Sequence, residues 1–264
     1  MKRVKALTMA LAVILSSPHG SSAESPGGLL ADWRFRDGCI DQSGNGLNGQ
    51  MGGFKIAEEP GTATRCAFND GSQPKGVWMT VPDSPVFKRQ SALTVVFEVK
   101  CLPSNTTGWL LYKTSPEGCD FGILFDTGPI RIENKKDSYA NYRIGLKIAT
   151  VTKWFLVNRK QHPPTEWNRF AVTVDLKGDR IPRLYIDGKR AAQSDSFGLD
   201  DFYSDENGDR IGTVDFYEFT GSTLPCNGMP LCIGGANIIK ENSFQGYIGE
   251  IMLFGRCLSN DELN

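Results

Sequence analysis

The chain has 264 residues, with 29 Lys and Arg against 30 Asp and Glu, a formal net charge of −1 and 40% hydrophobic residues. That balance has no basic excess to attract nucleic acid or an anionic membrane surface. Apart from its first residues the chain has no apolar run of the length a membrane helix needs, so no membrane span is expected.

The N-terminus reads as an address. MKRVK is basic, ALTMALAVIL is an apolar run too short to span a bilayer, and Ser21-Ser22-Ala23 forms a small-residue cleavage site. This is the layout of a secretory signal peptide over residues 1–23, and it predicts a protein secreted from the cell, or periplasmic in a bacterium. Its removal takes three basic residues and no acid, leaving 26 basic and 30 acidic residues. Residues 24–264 contain no Pro- or Ser-rich linker and no internal repeat, and are expected to form one domain.

From there the predicted elements are strands. Runs rich in Val, Ile, Phe, Trp and Tyr recur at short intervals, bounded by Gly, Pro, Asn and Asp. In order they are LLADWRF, VWMTV, LTVVFEV, WLLYK, FGILFD, PIRIE, YRIGLKIA, KWFLV, FAVTVDL, RLYID, LCIGG and YIGEIMLF. In FAVTVDL, Phe170, Val172 and Val174 share one face of a strand. Asp187-Gly188 between RLYI and KRAA predicts a type I′ hairpin. The tail from Ser259 to Asn264 reads as a helical turn, with Ser259 as N-cap and Glu262 three residues later. Many short strands with no alternating helices mean an all-β protein, a two-sheet antiparallel sandwich or a barrel.

GNGLNG, Gly44 to Gly49, matches the dinucleotide pattern G-x-G-x-x-G. That motif must open a helix within a βαβ unit, and here it is followed by QMGGFKIAEEPG, which has no helical stripe. The glycines therefore serve tight turns with positive φ.

Seven cysteines lie in the exported part. In an oxidising compartment most are expected to pair, with one left over. Cys226 with Cys232, and Cys101 with Cys119, bracket short loops and are the expected disulfides. A zinc site is disfavoured by the absence of C-x-x-C and by a single exported histidine, His162.

Several of these segments, read together, resemble one family. LLADWRFRDGCIDQSGNGLNGQMGG resembles the opening of laminin-G-like, concanavalin A-like jelly-roll domains, through Trp33, Phe35, Asp41, Ser43, Gly44, Asn45, Gly46 and Gly49. EWNRFAVTVDLKGDRIPRLYIDGKRAA resembles the family's central hairpin, and FQGYIGEIMLFGRCLSNDEL its close. The resemblance spans nearly the whole exported chain in order. It implies two antiparallel sheets, one concave, that bind a polysaccharide, glycoprotein glycans or an extracellular protein. It also implies a structural Ca²⁺ between the first turn and the last strand, held by Asp41, Asn45 and Glu250. Where the family often has I-D-E, this chain has Ile248-Gly249-Glu250. The fold also carries glycan-cleaving enzymes, which is the alternative reading.

No strand carries the close acidic pattern of the fold's glucanases. Asp215 and Glu218, in VDFYEF, would point to opposite faces. G-x-S-x-G is missing, and His162 stands alone beside two prolines, so no catalytic residue is assigned. The expected ligand surface is aromatic, because ring faces pack on the apolar faces of sugars. Tyr203, Phe216 and Tyr217 in the acidic segment before LCIGG, and Trp154 in KWFLV, are the candidates. For Trp154 a core position competes, because both faces of KWFLV read as apolar; Trp33 and Trp167 match core positions of the family. DENGDRIGTVDFYEF resembles an interrupted EF-hand loop in which Asp205, Asn207 and Asp209 could hold Ca²⁺. Asn105-Thr106-Thr107 is a glycosylation sequon, meaningful only in a eukaryotic secretory route.

Overall fold

A computed structural model describes residues 27–59, 65–70, 76, 78–103, 107–115, 118–128, 141–149, 151–191, 202–204, 210–213, 221–226, 228–236 and 243–264. The strands are β1 (Leu29–Trp33), β2 (Gln50–Met51), β3 (Lys55–Glu58), β4 (Arg65–Asn69), β5 (Met79–Val81), β6 (Ala92–Cys101), β7 (Thr107–Ser115), β8 (Gly118–Asp126), β9 (Asn141–Ile148), β10 (Val151–Asn158), β11 (Asn168–Asp175), β12 (Arg183–Ile186), β13 (Lys189–Arg190), β14 (Phe202–Ser204), β15 (Arg210–Thr213), β16 (Leu231–Ile233) and β17 (Gly246–Phe254). One short helix, α1 (Asn260–Leu263), follows them.

Two antiparallel sheets form a sandwich. The eight-stranded sheet runs β13-β12-β11-β6-β17-β4-β3, with β1 also on β17. The seven-stranded sheet runs β10-β9-β8-β7-β16-β5-β2. β14 and β15 pair separately as a two-stranded ribbon. The predicted all-β sandwich is the observed fold.

Alternation explains the layering. On β6, Leu93, Val95, Phe97 and Val99 turn inward; on β8, Phe121, Ile123 and Phe125 do the same, and all are nearly inaccessible to water. The sheets meet through Phe97 and Phe125, with ring centroids 5.7 Å apart, and through Phe125 and Phe170, 5.9 Å apart. Burying residues of this size stabilises by roughly 1.5–3 kcal/mol each. The predicted hairpin joins β12 to β13, with positive φ at both Asp187 (48°) and Gly188 (73°), as a type I′ turn requires. In the final turn the Glu262 carboxylate accepts the Ser259 backbone N–H at 3.0 Å, one half of the predicted cap.

The GNGLNG glycines act as turn residues. Gly44 and Gly46 have φ of 86° and 72°, and a Cβ on either would meet no atom within 4 Å. Gly46→Ala therefore tests backbone conformation without a clash. A loss of about 1 kcal/mol in urea unfolding is expected, with a melting temperature that NAD or ATP leaves unchanged.

The cysteines differ from expectation. Cys101 and Cys226 are thiols in the structure. Cys101 is wholly buried at the end of β6, and burial pushes its thiol up to about 12. The β7–β8 hairpin turns at Ser115 and Gly118, which sets Cys119 beside the turn and Asp126, opposite Thr107, at the far end. Cys101 acts on the Tyr142 hydroxyl near that far end. Seven residues of strand separate it from Cys119, roughly 23 Å, whereas a disulfide needs Cα atoms within about 7 Å. Strand length therefore sets Cys101 and Cys119 apart in this structure. Cys226 directs its Sγ at Asp83 Oδ1, 3.7 Å away, instead of bridging to Cys232 on β16.

Candidate functional site: an aromatic and cationic sheet face

The seven-stranded sheet has two unlike faces. Inward lie Tyr142, Ile144, Leu146 and Ile148 of β9, with Val151, Phe155 and Val157 of β10. The opposite face of the same strands carries Arg143, Gly145 and Lys147, then Thr152, Trp154 and Leu156. Lys153, not Trp154, is turned inward and only 2% exposed. The core reading of Trp154 is therefore corrected: its ring is half-buried on the outer face.

Two glycines shape that face. Trp154 pairs across the strands with Gly145, and a Cβ on Gly145 would lie 2.9 Å from Trp154 Cζ3. The indole therefore lies down across β9, in space that only glycine leaves open. Gly122 does the same for Trp109 on β7, whose Cζ3 would be 2.8 Å from a Cβ there. Trp109 packs tilted against Tyr112, with centroids 4.6 Å apart, and both rings are buried with Ala236 and against Leu124. Trp154 is the open end of this aromatic row.

Cations sit on both indoles. The Arg143 guanidinium lies 4.2 Å from the Trp154 ring centroid, and Lys147 Nζ lies 5.8 Å from that of Trp109. Arg143 Nε also donates to Asp126 Oδ2 at 2.9 Å, which fixes the fork between ring and carboxylate. The face thus offers a half-buried indole with a guanidinium held over it, further N–H donors and a carboxylate. Such a set can pack against an apolar surface and pair with hydroxyl or carboxylate oxygens.

The eight-stranded sheet carries a second polar group on its own outer face. Glu98 of β6 lies between Arg169 of β11 and Glu250 of β17. Arg169 Nη1 donates to Glu250 Oε1. Trp167, expected in the core, is half-exposed here; its indole Nε1 donates to Glu59 Oε2 at 2.5 Å, and its centroid lies 6.3 Å from Tyr247. Gly249 fits under this group, since a Cβ there would be 2.9 Å from Glu98 Oε2 and 3.4 Å from Trp167 Cζ3.

Glu98's carboxyl is held above its ordinary range, first by burial and then by the Glu250 charge, against the pull of Arg169 and Arg36. A carboxyl that holds its proton more tightly folded than unfolded adds stability below its unfolded pKa, near pH 4. That contribution is lost as pH rises through the folded value. Glu98→Gln is accordingly expected to melt higher than the parent at pH 7, with the difference closing by about pH 4. Scanning calorimetry at both pH values measures this; a lower melting point at pH 7 would show that the negative charge is needed there.

The proposed calcium ligands are not arranged as a cage. Asp41 Oδ1 accepts the backbone N–H groups of Asp32 (3.0 Å) and Ser43 (2.9 Å). Its Oδ2 accepts Ser43 Oγ (2.8 Å) and Leu47 N (2.9 Å). Four donors fill a carboxylate's capacity. Asn45 Nδ2 donates to the carbonyls of Leu29 and Leu30, both at 2.9 Å, and Glu250 is held by Arg169. These contacts fit turn bracing and an ion pair, and among the described residues no group of three or more His, Cys, Asp or Glu could hold a metal. Phe216, Tyr217, Asp205, Asn207 and Asp209 lie outside the described residues, and of Tyr203 only the backbone, on β14, is described. His162 Nδ1 lies 3.8 Å from Asp187 Oδ2.

No protein family matches the sequence, and no curated protein is similar to it. Solved structures do resemble its fold. Domain 4 of AbnA, a GH43 extracellular arabinanase from Geobacillus stearothermophilus solved with arabinotriose, is 14% identical with a TM-score of 0.51, and the match covers 90% of this chain and 97% of that one. The binding domain of botulinum neurotoxin DC, solved with rat synaptotagmin II, is 11% identical with a TM-score of 0.54, over 90% of this chain and 50% of that one. Trypanosoma rangeli sialidase, solved with sialic acid, is 14% identical with a TM-score of 0.53, over 89% of this chain and 32% of that one. The chain thus spans nearly all of the first, about half of the second and about a third of the third. At such identities the likeness is one of fold, the antiparallel β-sandwich.

Proposed function

We propose that residues 24–264 form one exported, laminin-G-like domain that binds carbohydrate on the outer face of the seven-stranded sheet. The observation that carries this is Trp154, laid flat over Gly145 with Arg143 held 4.2 Å from its ring. A structure of similar fold solved with arabinotriose, matched over 97% of its own length, supports it. Binding needs no group to change its bonds: the indole supplies area, Arg143 and Lys147 donate to hydroxyl or carboxylate oxygens, and Asp126 accepts from hydroxyls. The partner is a polysaccharide or a glycoprotein glycan.

Affinity electrophoresis through gels containing individual polysaccharides tests this. The parent chain is expected to be retarded by at least one of them, and Trp154→Ala to lose about tenfold in affinity or more with an unchanged circular dichroism spectrum. Full retardation of Trp154→Ala would remove the site from this face.

A second reading, glycan cleavage, is favoured by one observation. Glu98 and Glu250 stand opposite each other on neighbouring strands, and Glu98 is biased toward its protonated form. Release of reducing ends, lost in both Glu98→Gln and Glu250→Gln, would establish it.

A further inference from the structure

At one end of the sandwich, away from the Trp154 face, a lysine is sealed among carboxylates. Lys113 of β7 has no exposed side-chain surface, and neither has Asp120 of β8; Asp83, just after β5, is 19% exposed. Lys113 Nζ lies 2.8 Å from Asp83 Oδ1 and 3.7 Å from Asp120 Oδ2, and donates to the Met229 carbonyl. The Phe87 ring stands 5.5 Å from Nζ on another side. A sandwich of this size has no need of a lysine in that place, because burying an ion pair costs more hydration than an apolar replacement would.

We propose that Lys113 and Asp83 are the reactants of an intramolecular amide cross-link, with Asp120 as its proton carrier. The reaction begins with transfer of one proton from the ammonium to the Asp83 carboxylate, which gives an amine and a carboxylic acid. The Nζ lone pair then attacks Asp83 Cγ. Asp120 takes a proton from the attacking nitrogen and returns it to the departing hydroxyl. The new bond is C–N, the broken one is C–O, and one water leaves; no oxidant or cofactor enters. Two carboxylates around one amine meet the separate needs for an acceptor and a shuttle, and the enclosed site holds the reacting atoms in contact continuously. The product would tie β7 to the segment after β5, the two strands that flank β16.

Mass spectrometry of the purified full chain, reduced and alkylated, decides it. The parent is expected to weigh 18 Da (one water) less than its sequence mass. Trypsin is expected to release a branched peptide joining Gly76–Lys88 to Cys101–Arg131. Lys113→Arg and Asp83→Ala are expected to restore the full sequence mass, and Asp120→Ala to restore most of it although both reactants remain. A parent at full mass overturns the proposal, and it does so without depending on whether any variant folds. So does an 18 Da loss carried within a single unbranched peptide, which marks a succinimide, or one that survives Asp83→Ala.

Discussion

Gly234→Ala is expected to cost more than about 4 kcal/mol, enough to leave little folded protein at 37 °C. Gly234 follows β16 with φ of 74°, and a Cβ there would lie 2.0 Å from Cγ of Trp78 and 2.3 Å from Cδ2. Trp78 is 2% exposed, with Phe54 and Phe244 against it at centroid distances of 6.0 and 5.8 Å, so the ring has no room to retreat. The backbone is pinned as well, since Gly234 N donates to Leu110 O at 2.8 Å and Gly234 O accepts Phe244 N at 3.2 Å. Gly228→Ala separates the two contributions. It has a similar φ of 80° but meets only Asp83 Oδ2, at 3.9 Å. Backbone strain alone predicts a loss of about 1 kcal/mol there. Equal losses for the two variants in urea unfolding would show that the Trp78 contact is not the cause.

Asp41→Ala is expected to cost about 3 kcal/mol or more, because four donors lose their acceptor together at a buried carboxylate. The backbone N–H groups of Asp32, Ser43 and Leu47 lose this acceptor, and the Ser43 hydroxyl keeps only the Leu30 carbonyl, at 3.3 Å. Asp32 lies on β1, opposite Met252 of β17, so the defect reaches the middle of the eight-stranded sheet. Asp41→Asn, which keeps the shape and one carbonyl oxygen, is expected to recover about half of the loss. Melting with calcium and with chelator gives the independent reading. If bracing is the whole role of Asp41, the loss is the same in both; a loss seen only with calcium would return the residue to metal binding.

The strands were legible because their cause is local. FAVTVDL alternates, and β11 buries Phe170, Val172 and Val174; Asp187-Gly188 names its own turn. The site was half legible. KWFLV gives no phase, since Trp and Lys can each stand on either side, and only pairing with β9 turns Lys153 inward and Trp154 outward. Arg143, Lys147 and the two glycines beneath the indoles were missed for the same reason. A signal was present in YRIGLKI and FGILFD, where a lone glycine interrupts an otherwise bulky strand and marks a close approach. What could not be read was which tryptophan approaches, because β8 and β9 meet β7 and β10 only in the assembled sheet. For Cys101 and Cys119 the obstacle is distance: loop length in the chain says nothing about how far a hairpin carries its second strand.

The position of β17 bears on how quickly this chain can fold. It lies between β6 on one edge and β4 and β1 on the other, so the strand formed last in sequence is a middle strand of the sheet. Its register joins Leu29 to Phe254, and Ala67 to Ile248. Such closures are long-range, and their loop entropy is spent before any contact returns it. During synthesis β1, β4 and β6 wait with open hydrogen-bonding edges until β17 arrives. Folding is then governed by delivery of the final strand, and the waiting edges are where a helper protein would act to keep the unfinished sheet from pairing with another chain.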